Sequence, residues 1–196
     1  RLFEQIKIEA DQQLDTQIRH EFSPIFNALE TFDKENKSTV LEILRAVKTG
    51  GQTLSDELYF TQIRIILETM FRKANAIGLL HDDCVKIKGS QVNLKNSYRF
   101  LAGEYDHLNV KCARIHFPKL VAIAVLNIID ITGAASHTSK VDVTLNIDIQ
   151  AYRKDLSTPY LLFSLLFQLA DVLIWFDKYC KENPDNVINK TYWQNK

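Results

Sequence analysis

The side chains best suited to chemistry follow a long apolar stretch in the middle of the chain. Only two residues between positions 120 and 131 are polar, so a helix here would be apolar on almost every side and buried by other helices. Ser136 and His137 come just after this stretch. A histidine exposed in a groove between helices can move a proton near neutral pH. We therefore expect a site at Ser136 and His137, with a capping or surface role for His137 as the alternative.

A second group of ionisable side chains lies on one predicted helix, over residues 55–77. Arg64, Glu68 and Arg72 are four residues apart and can form ion pairs along one face of that helix. Such a face is most often a solvated, ion-paired surface. The alternative is a positioned polar cluster, in which Arg64 and Glu68 face a binding site.

Other kinds of chemistry are not indicated. Four ligand-type residues, 81–84, are consecutive, so they cannot all converge on one ion, and no second cluster has metal-ligand spacing. The sequence has no nucleophile elbow and no phosphate-binding glycine loop, and we expect no cysteine–histidine pair. We therefore predict no metal, no cofactor and no classical nucleotide-dependent activity.

The charge balance and the cysteines restrict the possible partners and location. The 24 basic and 24 acidic residues cancel, so RNA binding would depend on a local patch and membrane binding is not expected. Three cysteines without a CxxC motif are typical of reduced thiols, which predicts a cytoplasmic protein. The very apolar segment 159–181 carries a polar stripe at Ser164, Gln168 and Asp171, which favours a buried core helix over a membrane span.

Periodicity predicts the elements that must position these residues. Apolar residues at steps of three and four predict helices over 2–22, 55–77, 118–132 and 159–181, with two shorter helices between positions 24 and 50. The first of the shorter helices is expected to end in the polar run 33–37, and the second to begin at Thr39 and to stop at Gly50 and Gly51. We expect the three later helices to form the core, with seven residues buried: Ile63, Ile66, Ile123, Leu126, Leu162, Leu166 and Leu169.

One segment instead alternates apolar and polar residues. Positions 141–149 have five apolar residues at period two, which predicts a strand, with a hairpin at 84–94 as its partner. The predicted fold is mainly α, a bundle of five to six helices with a small antiparallel β element. Residues 1–50 are expected to pack as a helical segment on a core of residues 51–182 that contains the β insertion. Residues 183–196 are expected to be a polar, frayed tail, with Tyr192 and Trp193 as possible docking residues.

Two short motifs carry a resemblance to a known family. They are Ile-Arg-Ile-Ile-Leu-Glu at 63–68 and Ile-Thr-Gly-Ala-Ala-Ser-His at 131–137, which closes the apolar helix before the final one. This layout, over roughly residues 55–182, resembles the HEPN superfamily of helical domains (higher eukaryote and prokaryote nucleotide-binding). Catalytic members of that superfamily use an arginine and a histidine, separated by four to six residues, as a metal-independent ribonuclease site across a dimer. Only His137 matches, because positions 129–131 hold isoleucine or aspartate where the arginine would stand.

The resemblance therefore implies RNA binding or degenerate cleavage, in bacterial defence or stress response. In that reading His137 is the catalytic residue, and Arg64, Glu68 and Ser136 contribute to binding. An active enzyme of this kind would be a metal-independent endoribonuclease, but the missing arginine favours a protein without catalysis. The alternative is a non-enzymatic helical dimerisation or protein-interaction module. Both hypotheses include a homodimer, since almost fully apolar helices leave more hydrophobic surface than a small monomer covers.

Overall fold

The computed structural model describes residues 2–50, 56–85, 92–105, 108–135, 143–156 and 158–195. Most of these residues are helical, and a two-stranded antiparallel sheet completes the fold, so the predicted mainly α class is confirmed. The elements in chain order are α1 Leu2–Glu21, α2 Ser23–Ala28, α3 Lys34–Thr49, α4 Asp56–Ala76, α5 Asp82–Val85, α6 Leu94–Ala102, β1 Val110–Cys112, α7 Lys119–Ala135, α8 Val143–Leu156, α9 Tyr160–Glu182, α10 Asn186–Lys190 and β2 Trp193–Asn195.

The core forms where α4, α7 and α9 pack against one another. Helices α2 and α3 cover one side of this group, and α6 and α8 pack on α7. The predicted core residues of α4 and α9 are buried, as expected from their apolar stripes: Ile63, Ile66, Leu162, Leu166 and Leu169. Helix α9 is long and apolar enough to cross a membrane by composition. Its buried leucines instead make it a core helix of this bundle.

Helix α7 is less buried than its sequence predicts. Val125, Ile128 and Ile129 lie in the core, but Ile123 is 57% exposed and Leu126 is only half-buried. Leu120 is more exposed still. The prediction of burial on most sides was therefore wrong, because α4 and α9 cover only one side of α7 at its N-terminal end. The helix also continues through Gly133 to Ala135 rather than stopping at the glycine.

The predicted strand at 141–149 was wrong. Residues 143–149 belong to α8, and residues 141 and 142 lie outside the described residues. The proposed partner hairpin also fails where it is described, because Cys84 and Val85 lie in α5 and Leu94 begins α6. A strand without a partner leaves its backbone groups unpaired, whereas a helix pairs them internally. Ile149 then packs inward while Ile147 remains exposed.

The antiparallel β element instead joins the C-terminal segment to the middle of the chain. Strand β2 pairs with β1, with Gln194 opposite Lys111 and Trp193 opposite Cys112. Helix α10 precedes it, and Asp185 caps this helix by accepting hydrogen bonds from the backbone N–H groups of residues 187 and 188. The expectation of a frayed tail was therefore wrong for residues 186–195. The expected docking residues Tyr192 and Trp193 are partly buried and pack against the core. The side chain of Asn186 adds a hydrogen bond to the carbonyl oxygen of Ala76, at the end of α4, which the sequence did not indicate.

The segment between α1 and α4 also differs in its boundaries. The polar run that begins at Asp33 does not end the second helix; it begins α3, with Asp33 at the N-cap position. Thr39, expected to cap this helix, lies buried within it. Gly50, with φ +87°, ends α3 as the sequence predicts.

Candidate functional site

Of the four predicted site residues, the structure describes Arg64 and Glu68. The Nε atom of Arg64 lies 3.7 Å from Oε1 of Glu68, and both side chains are about four-fifths buried. Ser136 and His137 lie outside the described residues, so the predicted convergence of His137 with Arg64 stays a prediction. The Arg64–Glu68 ion pair predicted from their spacing is present.

Burial dominates the electrostatics of this pair. It lowers the pKa of Arg64 and raises the pKa of Glu68, while the opposite charge of each partner works against that change. Arg72 also favours the charged form of Glu68. Arg64 is thus a partly desolvated cation that already has an anionic neighbour. A phosphate would have to compete with Glu68 for it.

The four consecutive ligand-type residues of positions 81–84 make contacts of different kinds. The Nδ1 atom of His81 accepts a hydrogen bond from the backbone N–H of Asp83, and its ring meets Trp193 edge-on. A carboxylate oxygen of Asp82 accepts a hydrogen bond from Asn75. The thiol of Cys84 is buried. These contacts fasten the turn after α4 to β2, and they give no common site.

A cysteine–histidine pair is present in the described part of the chain, and the sequence-based expectation of none was wrong. The Sγ atom of Cys112 lies 3.3 Å from Nε2 of His116, and Nδ1 of His116 lies 2.8 Å from the hydroxyl oxygen of Tyr179. Arg114 lies over the rings of Tyr179 and Tyr192. The signal in the sequence was the four-residue spacing between Cys112 and His116.

Cys112, His116 and Tyr179 are connected as a nucleophile, a base and an orienting hydroxyl would be. Their pKa values, however, do not suit catalysis. Burial raises the pKa of the Cys112 thiol and lowers the pKa of His116 to about 4, with a further lowering from the Arg114 cation. Both groups are therefore neutral at pH 7, whereas a reactive cysteine needs thiolate character. Both side chains are also almost fully buried. The contact serves to join β1 to α9.

Two exposed apolar features lie elsewhere in the described part of the chain. The first is the N-terminal half of α1, in which every residue from 2 to 13 is exposed. Phe3, Ile6 and Ala10 recur at steps of three and four and form an apolar stripe, with Phe3 81% and Ile6 56% exposed. We call this surface the α1 stripe. The C-terminal half of the same helix is fixed to α3 by the Asp15–Arg45 ion pair and by burial of Ile18.

The second feature is a groove of about 440 Å³ between α7 and α9. We call it the α7–α9 groove. Its walls are mainly apolar, and Asp171 and Gln168 are its polar members. Its lining includes Leu120, Ile123 and Ala124 of α7 and Asp171, Val172 and Trp175 of α9. The predicted polar stripe of α9 contributes Gln168, which accepts a hydrogen bond from Asn127 at 2.9 Å.

Comparison with known protein families, with curated proteins and with solved structures finds no match. The resemblance to the HEPN superfamily therefore stays a prediction from the sequence. The function has to be argued from the geometry of the chain itself.

Proposed function

We propose that this chain is a non-enzymatic helical interaction module, which binds another protein chain through the α1 stripe. The reduced state of its three cysteines suits a cytoplasmic setting for that role. This was the alternative hypothesis from the sequence, and it has more support in the geometry than RNA binding has.

The observation that carries the proposal is that every residue from 2 to 13 of α1 is exposed. Twelve consecutive helical residues that bury little surface are marginally stable in water, because little compensates the conformational entropy lost on folding. Large apolar side chains such as Phe3 and Ile6 add a further cost when they face solvent. A partner that covers the stripe would offset both costs.

The RNA hypothesis lacks a comparable observation. Its only described cation, Arg64, already pairs with Glu68, and the overall charge is zero. RNA binding and cleavage at His137 stay predictions from the resemblance, and an assay for them is described in the Discussion.

The proposal is tested by asking whether the α1 stripe contributes to the fold of its own chain. The variant Phe3→Gln/Ile6→Gln should keep the free energy of unfolding within about 0.5 kcal/mol of wild type in dilute monomer, since both side chains are exposed. The matched control is Ile18→Ala on the same helix, where a fully buried side chain is truncated. It should cost about 2–5 kcal/mol. A loss above about 1 kcal/mol in the stripe variant would show that the stripe serves folding, and would overturn the proposal.

A further inference from the structure

We infer that the partner of the α1 stripe is a second copy of this chain, and that the stripe binds in the α7–α9 groove of that copy. The two chains would exchange their projecting helices reciprocally, as a twofold dimer. This inference rests on the proposed function and names its partner.

The α1 stripe and the α7–α9 groove match in length, and both are apolar. Seven residues separate Phe3 from Ala10 along α1, and seven separate Gln168 from Trp175 along α9, so each surface extends about 10 Å at 1.5 Å per helical residue. The stripe is convex and apolar, and the groove is concave with apolar walls that include the exposed Leu120 and Ile123. A helix lying in a hydrophobic groove is a recurrent mode of recognition between proteins.

The charges beside the two surfaces are complementary. Lys7 borders the stripe, since it follows Phe3 by one helical turn and precedes Ala10 by three residues. Asp171 lies on the α9 side of the groove and is exposed. Glu9 borders the other edge of the stripe. Lys119 lies on α7 one helical turn before Ile123 and on the same face. The orientation that brings Lys7 to Asp171 can therefore bring Glu9 to Lys119.

The geometry of α1 favours a second copy over the chain's own groove. Helix α1 is continuous from Leu2 to Glu21, and its C-terminal half is held on α3 by the ion pairs Asp15–Arg45 and Glu21–Lys48. The projecting half could reach the groove of its own chain only by breaking the helix. A reciprocal exchange keeps the helix intact and closes on itself, so it gives a dimer rather than an open filament.

The test is sedimentation velocity of the 196-residue chain from about 1 to 100 µM, a range that covers micromolar dissociation constants. Wild type should associate to twice the 22.6-kDa monomer mass, and both Phe3→Gln/Ile6→Gln and Leu120→Gln/Ile123→Gln should remain monomeric. An equimolar mixture of these two variants should regain a weaker heterodimer, because one intact stripe still meets one intact groove. A contact between two grooves or between two stripes would not recover on mixing.

Charge reversal tests the orientation. Lys7→Glu and Asp171→Lys should each weaken the dimer by about tenfold or more, and the double variant Lys7→Glu/Asp171→Lys should recover most of that loss. Gln12→Lys is the matched control, because nine residues place Gln12 on the opposite side of α1 from Phe3. It should leave association unchanged.

Three results would overturn the inference. They are a wild-type monomer throughout the concentration range, a dimer whose affinity is unchanged by the stripe substitutions, and a charge-swapped double variant that does not recover dimer affinity. None of these results alters the unfolding test of the proposed function, which is made on monomer. If wild type is monomeric and the unfolding test succeeds, the interaction role stands and its partner is a different protein.

Discussion

The Nδ1 atom of His116 lies 2.8 Å from the hydroxyl oxygen of Tyr179, 63 residues further along the chain. With Cys112 on the other ring nitrogen, both nitrogens of the imidazole have a partner in a site that excludes water. A neutral imidazole suits this site because it has one donor and one acceptor nitrogen. An imidazolium would add a buried charge next to the Arg114 cation.

This contact predicts a pH dependence of stability. The pKa of His116 is lowered to about 4 in the folded chain from an ordinary value near 6.5, so the unfolded chain binds more protons between those values. The stabilisation is therefore complete above pH 6.5 and is lost as the pH falls towards 4. Between pH 7 and pH 5 the free energy of unfolding should fall by roughly 2 kcal/mol from this group alone.

The measurement is chemical denaturation of wild type and His116→Gln at several pH values. The variant should be less stable at pH 7 but should have a shallower dependence on pH. Parallel curves for the two proteins between pH 7 and pH 5 would contradict the account of His116.

Two isoleucines of α7 give a matched test of the core. Ile128 is fully buried, whereas Ile123 is 57% exposed on the same helix. Ile128→Ala should cost about 2–5 kcal/mol because it leaves a cavity among packed side chains. Ile123→Ala should cost below about 1 kcal/mol in monomer. Equal costs in urea denaturation would mean that the exposed side of α7 is misassigned.

Two glycines with positive φ test the docking of the C-terminal segment. Gly50 has open space around it, whereas a Cβ at Gly78 would lie 2.7 Å from the carbonyl oxygen of Asn186. Gly50→Ala should cost about 1 kcal/mol from backbone strain alone. Gly78→Ala should cost at least about 1 kcal/mol more, since α10 must also move. Limited proteolysis should then cut residues 183–195 faster in Gly78→Ala than in Gly50→Ala, and equal rates would refute this docking.

The sequence hypothesis of RNA binding makes its own prediction. Single-stranded RNA should bind wild type weakly, with affinity that falls steeply with salt, and with little or no cleavage in the presence of a chelator. Arg64→Ala and His137→Ala should both weaken binding. Undetectable binding for wild type and both variants would remove RNA from consideration.

Sequence periodicity predicted the elements whose apolar stripe is buried along its whole length. Helix α4 and helix α9 begin and end within about two residues of their predicted bounds, and their predicted core leucines and isoleucines are buried. Prediction from the local sequence pattern failed where contacts with distant parts of the chain determine the secondary structure. Residues 143–149 alternate like a strand but lie in helix α8, with no strand beside them among the described residues. The polar segment 186–195 makes hydrogen bonds to α4 and β1.

The same distinction applies to the candidate sites. The i,i+4 pair of Arg64 and Glu68 could be predicted because both residues lie on one helix. The contact of His116 with Tyr179 could not, because it joins distant parts of the chain. The α1 stripe was visible as a pattern, but its periodicity is the same whether the helix is covered or exposed. Only the folded structure shows that the C-terminal half of α1 packs on the bundle while its N-terminal half is exposed.

In the proposed function, residues 2–13 of α1 are stabilised by another chain rather than by their own. Amide hydrogen exchange of these residues, measured on wild type at low and at high protein concentration, tests it most directly. We expect residues 2–13 to exchange fast in dilute monomer and to be markedly protected at concentrations that populate the dimer, with residues 14–21 protected in both. Strong protection of residues 2–13 in dilute monomer would contradict it, because the helix would then need no partner.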